Sequence, residues 1–288
     1  MKTKLSAFLL IFTLLIPTLA YADTTEGETI ITLGENLTDQ QKQTVLNDMK
    51  APQDAQIITV SNAEEHKYLD SYVPQSQIGT RAISSSKITY TKAGSGLVVQ
   101  THNISGITDA MYTNALITAG VKDANIYITA PFSVSGTAAL TGIMKAYEKT
   151  SNKAIPEGVK QVANQEMVTT SNLGNQIGND KAVQLVNNIK GAIAQNPPQT
   201  TDDLRTLIKK IADQMGIQLT DDQLNSLVSL FDKMKNLNID WNQVGNQLNN
   251  AKNQVSTFLK SDQGQSFLDQ VKSVFSSFID FIKSLFKN

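Results

Sequence analysis

TDAMYTNALITAGVKDANIYITAPFSVSGTAALTGIMKAYE, Thr108–Glu148, decides how the first half of this chain folds. Thr108 stands before a helically spaced apolar set, and Gly120 closes it. NIYITA (Asn125–Ala130) alternates β-branched and aromatic residues with polar ones, the pattern of a strand. Pro131 reads as the end of that strand, since proline gives the ladder no N–H. Ser133, Ser135, Gly136 and Thr137 then form a small-residue turn, and helical spacing resumes to Glu148. Helix, strand, turn, helix is the grammar of an α/β fold.

An earlier stretch has the same punctuation. Thr38–Asp39 matches Thr108–Asp109, and Asp54–Ile57 matches Asp123–Ile126 with one gap. Strand signals precede each copy, at ETIITL (Glu28–Leu33) and GLVVQTHN (Gly96–Asn103), and SNAEEHKYL (Ser61–Leu69) follows the first as a helix. The expected fold is therefore α/β, with a duplicated βαβα unit and a mixed sheet as the finer reading. Chance reuse of common capping residues is the competing account. ISSSKITYT (Ile83–Thr91) supplies one further strand, and AGSG (Ala93–Gly96) is expected to turn it into a hairpin with the next.

After Thr150 the strand signals stop. Residues 151–288 carry helix after helix, with a cap at Thr200 or Thr201, a Thr-Asp start signal at Thr220 and a cap at Asp240. The last segment is amphipathic, with Phe267, Phe275, Phe278, Phe281 and Phe286 on its apolar side. The division expected is 1–22, a leader; 23–150, an α/β domain; and 151–288, an all-α helical domain.

The leader follows from Lys2 and Lys4, the apolar run Leu5–Leu19 and the A-x-A site Ala20–Ala22. This is a secretory signal peptide, so the protein is expected to be secreted, with Asp23 as its first mature residue. The chain has no cysteine, which excludes a lipid-modified cysteine and a disulfide framework. Without the leader it carries 23 basic and 26 acidic residues. No basic excess of the kind nucleic acid demands is present, and no nucleic-acid partner is expected.

LTDQQ (Leu37–Gln41), QIGTRAISS (Gln77–Ser85), THNI (Thr101–Ile104), APFSVSGTAALTGIMKAYE (Ala130–Glu148), LTDDQ (Leu219–Gln223) and NLNIDW (Asn236–Trp241) occur in one order. In these strings the chain resembles the YpuA-like family of exported bacterial proteins. The resemblance runs from about Ile31 to Trp241 and weakens from Gln247. It implies an exported protein of Gram-positive-type bacteria and assigns no catalytic or binding residue.

Little chemistry is written as motif. His66 and His102 lack HxxxH or HExxH spacing, and no metal or cofactor is expected. Asn238–Asn249 fails as a calcium loop, having Gln243 where glycine belongs and Asn249 where glutamate belongs. A hydrolase would have to use Ser135 as nucleophile and His102 as base, with Asp109 or Asp123 behind the histidine. An anion site is the other reading of the junction: the helix after Gly136 has no acid before Glu148, so Ser133, Ser135, Gly136 and Thr137 could hold an anion with Arg81 as counter-charge. Close helix packing, with Ser135 as a plain N-cap, is the alternative. The function expected is a non-enzymatic envelope-associated or extracellular binding protein. The alternatives are that hydrolase and a membrane-surface protein acting through the terminal phenylalanines. Candidate partners are a cell-wall polymer, a membrane surface or an envelope protein.

Overall fold

The computed structural model describes residues 25–72 and 78–260, with side chains to residue 250. The leader expected at 1–22 and Phe267, Phe275, Phe278, Phe281 and Phe286 lie outside the described residues. The strands are β1 (Thr29–Gly34), β2 (Gln56–Val60), β3 (Ser85–Tyr90), β4 (Leu97–Ile104) and β5 (Ala124–Val134). The helices among them are α1 (Asp39–Asp48), α2 (Asn62–Leu69) and α3 (Asp109–Thr118). Then follow α4 (Thr137–Ser151), α5 (Glu157–Ile177), α6 (Asn179–Gln195), α7 (Thr201–Gln214), α8 (Asp221–Lys235) and α9 (Trp241–Lys260).

Local chemistry sets most helix starts. Thr38, Ser61, Thr108, Thr200 and Thr220 each cap a helix with a hydroxyl that accepts the N–H three residues on. Asp240 does the same for Gln243 at 2.9 Å, which is the use this fold makes of the failed calcium loop. Each such cap contributes about 1 kcal/mol.

The five strands form one mixed sheet in the order β2-β1-β3-β5-β4. Two parallel pairs, β1/β2 and β4/β5, are each bridged by a helix, and β3 runs antiparallel between β1 and β5. The expected β3–β4 hairpin does not form, because β5 lies between its two strands. The entry to β5 is stitched into the connecting loop. Thr91 N–H donates to Asp123 O at 2.7 Å, Gly96 N–H to the Asp123 carboxylate at 2.8 Å, and Ala124 N–H to Gly96 O at 3.1 Å. The loop thus spans two strand spacings, about 10 Å, where a tight hairpin spans one.

Pro131 does not end β5 either. His102 pairs with Thr129 and Ile104 with Val134, so β5 carries extra residues across this interval. The bulge accommodates a residue with no N–H to offer.

Sheet faces differ. Ile30, Ile88, Ile126 and Ile128 enter a large core with α3 and α4, whereas Ile31 and Leu33 meet Val45 and Met49 of α1 and its C-cap. Gly142 lets α4 lie close on the sheet: a Cβ there would be 2.6 Å from Thr32 Oγ1 and 2.9 Å from Val60 Cγ2. α3 is buried on nearly every side, with Met111, Tyr112, Ala115, Leu116 and Ile117 all in the core. Its apolar residues are not confined to one stripe, as befits a helix packed between a sheet and further helices. The same apolar cluster continues through Val159, Leu185, Phe231 and Val244, so the later helices pack on the α/β part without a break.

Inside that junction sits a charged pair. Lys190 of α6 donates to Glu166 of α5 and to the Asn114 carbonyl of α3, both at 2.9 Å, and both charged side chains are 0% exposed. Thr118 of α3 donates to the second carboxylate oxygen. Burial pushes the Glu166 carboxyl up and the Lys190 ammonium down, each charge offsetting part of the other's shift. Glu166→Ala strands a lysine in an apolar core and should cost about 3–5 kcal/mol in denaturant unfolding. Glu166→Leu combined with Lys190→Met should recover most of that loss, because similar volume then replaces the whole pair.

Candidate functional site

The β5–α4 junction is built as a closed corner. Gly136 caps α4 at φ 89°, without a side-chain cap. Ser135 is therefore not the N-cap; its hydroxyl lies 3.3 Å from Thr137 Oγ1. A Cβ on Gly136 would stand 2.2 Å from Tyr112 Oη and 2.7 Å from Ile104 Cγ2, so the space above this glycine is filled by the chain itself. Tyr112 donates to Gly136 O at 2.7 Å, and its full burial drives the phenol far above its ordinary range. Ala139 N–H, in the first turn, donates to Ser84 Oγ at 3.0 Å.

The acid missing from the α4 sequence arrives from α2. Thr137 donates to Glu65, which is 1% exposed and also accepts from Asn62 Nδ2 at 3.3 Å. Glu65 belongs to the first turn of α2 as well, so the beginnings of two helices share one carboxyl group. Burial raises the Glu65 carboxyl above its ordinary value, against the Thr137 and Asn62 hydrogen bonds and the nearby His66. An internal carboxyl group thus stands where the sequence left room for an external anion. Ser133 is exposed on β5 beyond Pro131. Arg81 is exposed and, among the described residues, makes no hydrogen bond or ion pair with Ser133, Ser135 or Thr137.

The histidines take other partners than those expected. His102 Nδ1 donates to Asp48 Oδ2 at 2.9 Å, at the end of α1. Thr129 donates to the same oxygen at 2.6 Å and Tyr127 at 3.3 Å. Burial works to raise the Asp48 carboxyl, but the Thr129, His102 and Tyr127 hydrogen bonds outweigh it and hold the group below its ordinary value. Asp109 instead accepts from Thr101, and Asp123 from Gly96. The hydroxyl beside the His–Asp pair is that of Thr129, whereas Ser135 pairs with Thr137. His66 bridges Asp70 at 2.5 Å and Gly79 O at 3.0 Å, a tie between α2 and the segment after it.

A concave site lies elsewhere. Residues of α5 and α8, together with Tyr72, line a groove of about 580 Å³. Besides Tyr72, eight uncharged polar side chains line it, with Val168, Leu173 and Leu227 as its aliphatic part and, among the described residues, Asp222 as its one charge. Its volume falls among small-ligand sites, about 300–1,000 Å³. Sequence reasoning missed it, since Asn, Gln and Ser at helical spacing read as an ordinary solvated face. Among the described residues, no group of three or more His, Asp or Glu is placed to hold a metal ion, and no helix is long and apolar enough to cross a membrane.

The corner around Glu65 has a pH signature. A carboxyl whose folded value is raised contributes stability below its ordinary value and loses it as pH rises through the folded value. Between about pH 4 and pH 8, the unfolding free energy of Glu65→Gln should therefore improve relative to the parent protein as pH rises. Urea unfolding of both proteins across that range is the measurement.

The pattern of the family described as Protein of unknown function (DUF1002) matches residues 33–251. Uncharacterized protein YpuA of Bacillus subtilis (strain 168) is 53% identical over 275 residues, which cover 95% of each chain. No solved structure matches. With a match across both the sheet and the helices, the chain belongs to the DUF1002 family of proteins of unknown function.

Proposed function

We propose that this is an exported, non-enzymatic binding protein of the cell envelope or its surroundings, and that it takes its ligand in the α5–α8 groove. The groove carries the proposal: it is a concavity lined mainly by hydrogen-bonding side chains. Export is supported by the basic start, the apolar run and the A-x-A site of the first 22 residues. Thr137, Tyr112, Thr129 and both histidines have internal partners, which supports a positioning role for them. Thr137 serves Glu65, Tyr112 serves Gly136, and His102 and Thr129 serve Asp48.

Asn172, Gln176 and Asn225 are exposed on the groove, so truncating them leaves the core intact. The secreted protein should pellet with purified cell walls, and the Asn172→Ala/Gln176→Ala/Asn225→Ala variant should lose most of that binding, roughly fivefold or more. Pelleting with anionic liposomes that disappears on removal of residues 261–288 would replace this proposal with a membrane-surface role.

A further inference from the structure

The groove's ligand class can be read from the state of its amides, given the binding role proposed above. Three of them have their oxygen already engaged. Gln165 Oε1 accepts from Lys233 Nζ at 3.3 Å, Asn225 Oδ1 accepts from Arg205 Nη2 at 2.8 Å, and Gln176 Oε1 accepts from Gln223 Nε2. Lysine and arginine can only donate, so the first two amides are fixed with oxygen toward the cation and nitrogen away from it. Among the described residues, the NH₂ groups of Gln165, Gln176 and Asn225 have no hydrogen-bond partner. The cations are thus spent on orienting amides. Lys233 also lies 4.2 Å from the centre of the Tyr72 ring and covers it.

We infer that the groove binds a neutral saccharide strand, its hydroxyl and acyl-amide oxygens meeting these three amide donors. Ser226 and Ser229 can both donate and accept, which suits sugar hydroxyls that do the same. Val168, Leu173 and Leu227, all buried, give the lining a small apolar part. A polyanion is disfavoured: among the described residues the lining's own charge is the carboxylate of Asp222, and the bordering Lys233 and Arg205 are engaged with Gln165 and Asn225. A peptide is a poorer match, since peptide grooves draw on pockets for apolar side chains or on capture of charged termini. Uncharged partners also avoid the desolvation cost that an ion pair would carry into the site.

The purified protein titrated with N-acetylglucosamine tetramer and with maltotetraose, by calorimetry or by NMR shifts, tests this. At least one saccharide should bind. Gln176→Ala and Asn225→Ala, both at exposed positions, should each weaken it roughly three- to tenfold with an unchanged melting temperature. Saccharide binding that both variants leave untouched would overturn the inference. So would groove-dependent pelleting with cell walls in a protein that binds neither sugar; that result would leave the binding role standing and point to a wall peptide.

Discussion

Two charges without access to water hold the centre of this protein. Lys190 and Glu166 come from different helices and meet under a third, α3, through its Asn114 carbonyl and Thr118 hydroxyl. Isolated, either charge would be prohibitive there; together, with the added hydrogen bonds, they are tolerated. An apolar contact can slide, but this pair is satisfied in one arrangement only. α3 is thereby fixed against α5 and α6 on one side while its other side is fixed against the sheet. The sheet and the later helices share one core.

That constraint runs outward to the strand ends. α3 places Tyr112 over Gly136, which shapes the start of α4. α4 in turn lies on the sheet through Gly142 and receives Glu65 from α2 at its first turn. The corner that looks like a ligand site in sequence is the knot that joins α2, α3 and α4. Thr137 and the buried Glu65 carboxyl group satisfy one another, and an anion at the Thr137 hydroxyl would have to displace Glu65.

The opposite holds on the α5–α8 surface. There the polar side chains outnumber their internal partners, and two cations are used to orient amides. Buried polar groups are normally paired, and a shallow groove is where surplus donors can remain because water serves them until a ligand does. The contrast between a saturated corner and an unsaturated groove is what moves the candidate site from the α/β part to the helices.

Much of this was legible in the chain. Capping boxes at Thr38, Thr108 and Thr220, strand alternation in Ile126–Ile128, and the shift to helices after Thr150 are local properties, fixed by nearby backbone and side chains. α/β class followed from them. Strand order did not, because Ala93–Gly96 can serve a hairpin or a wider span equally well. The choice was made by Asp123, which holds β5 inside that loop from 27 residues away. Nor did the sequence show Glu65 at the start of α4, 72 residues distant, or Asp48 behind His102, 54 residues distant. Local sequence determined the elements, their caps and the scarcity of catalytic motifs. Which polar groups are saturated and which are left without a partner was decided only by tertiary structure, since hydrogen-bond satisfaction is a property of neighbours in space.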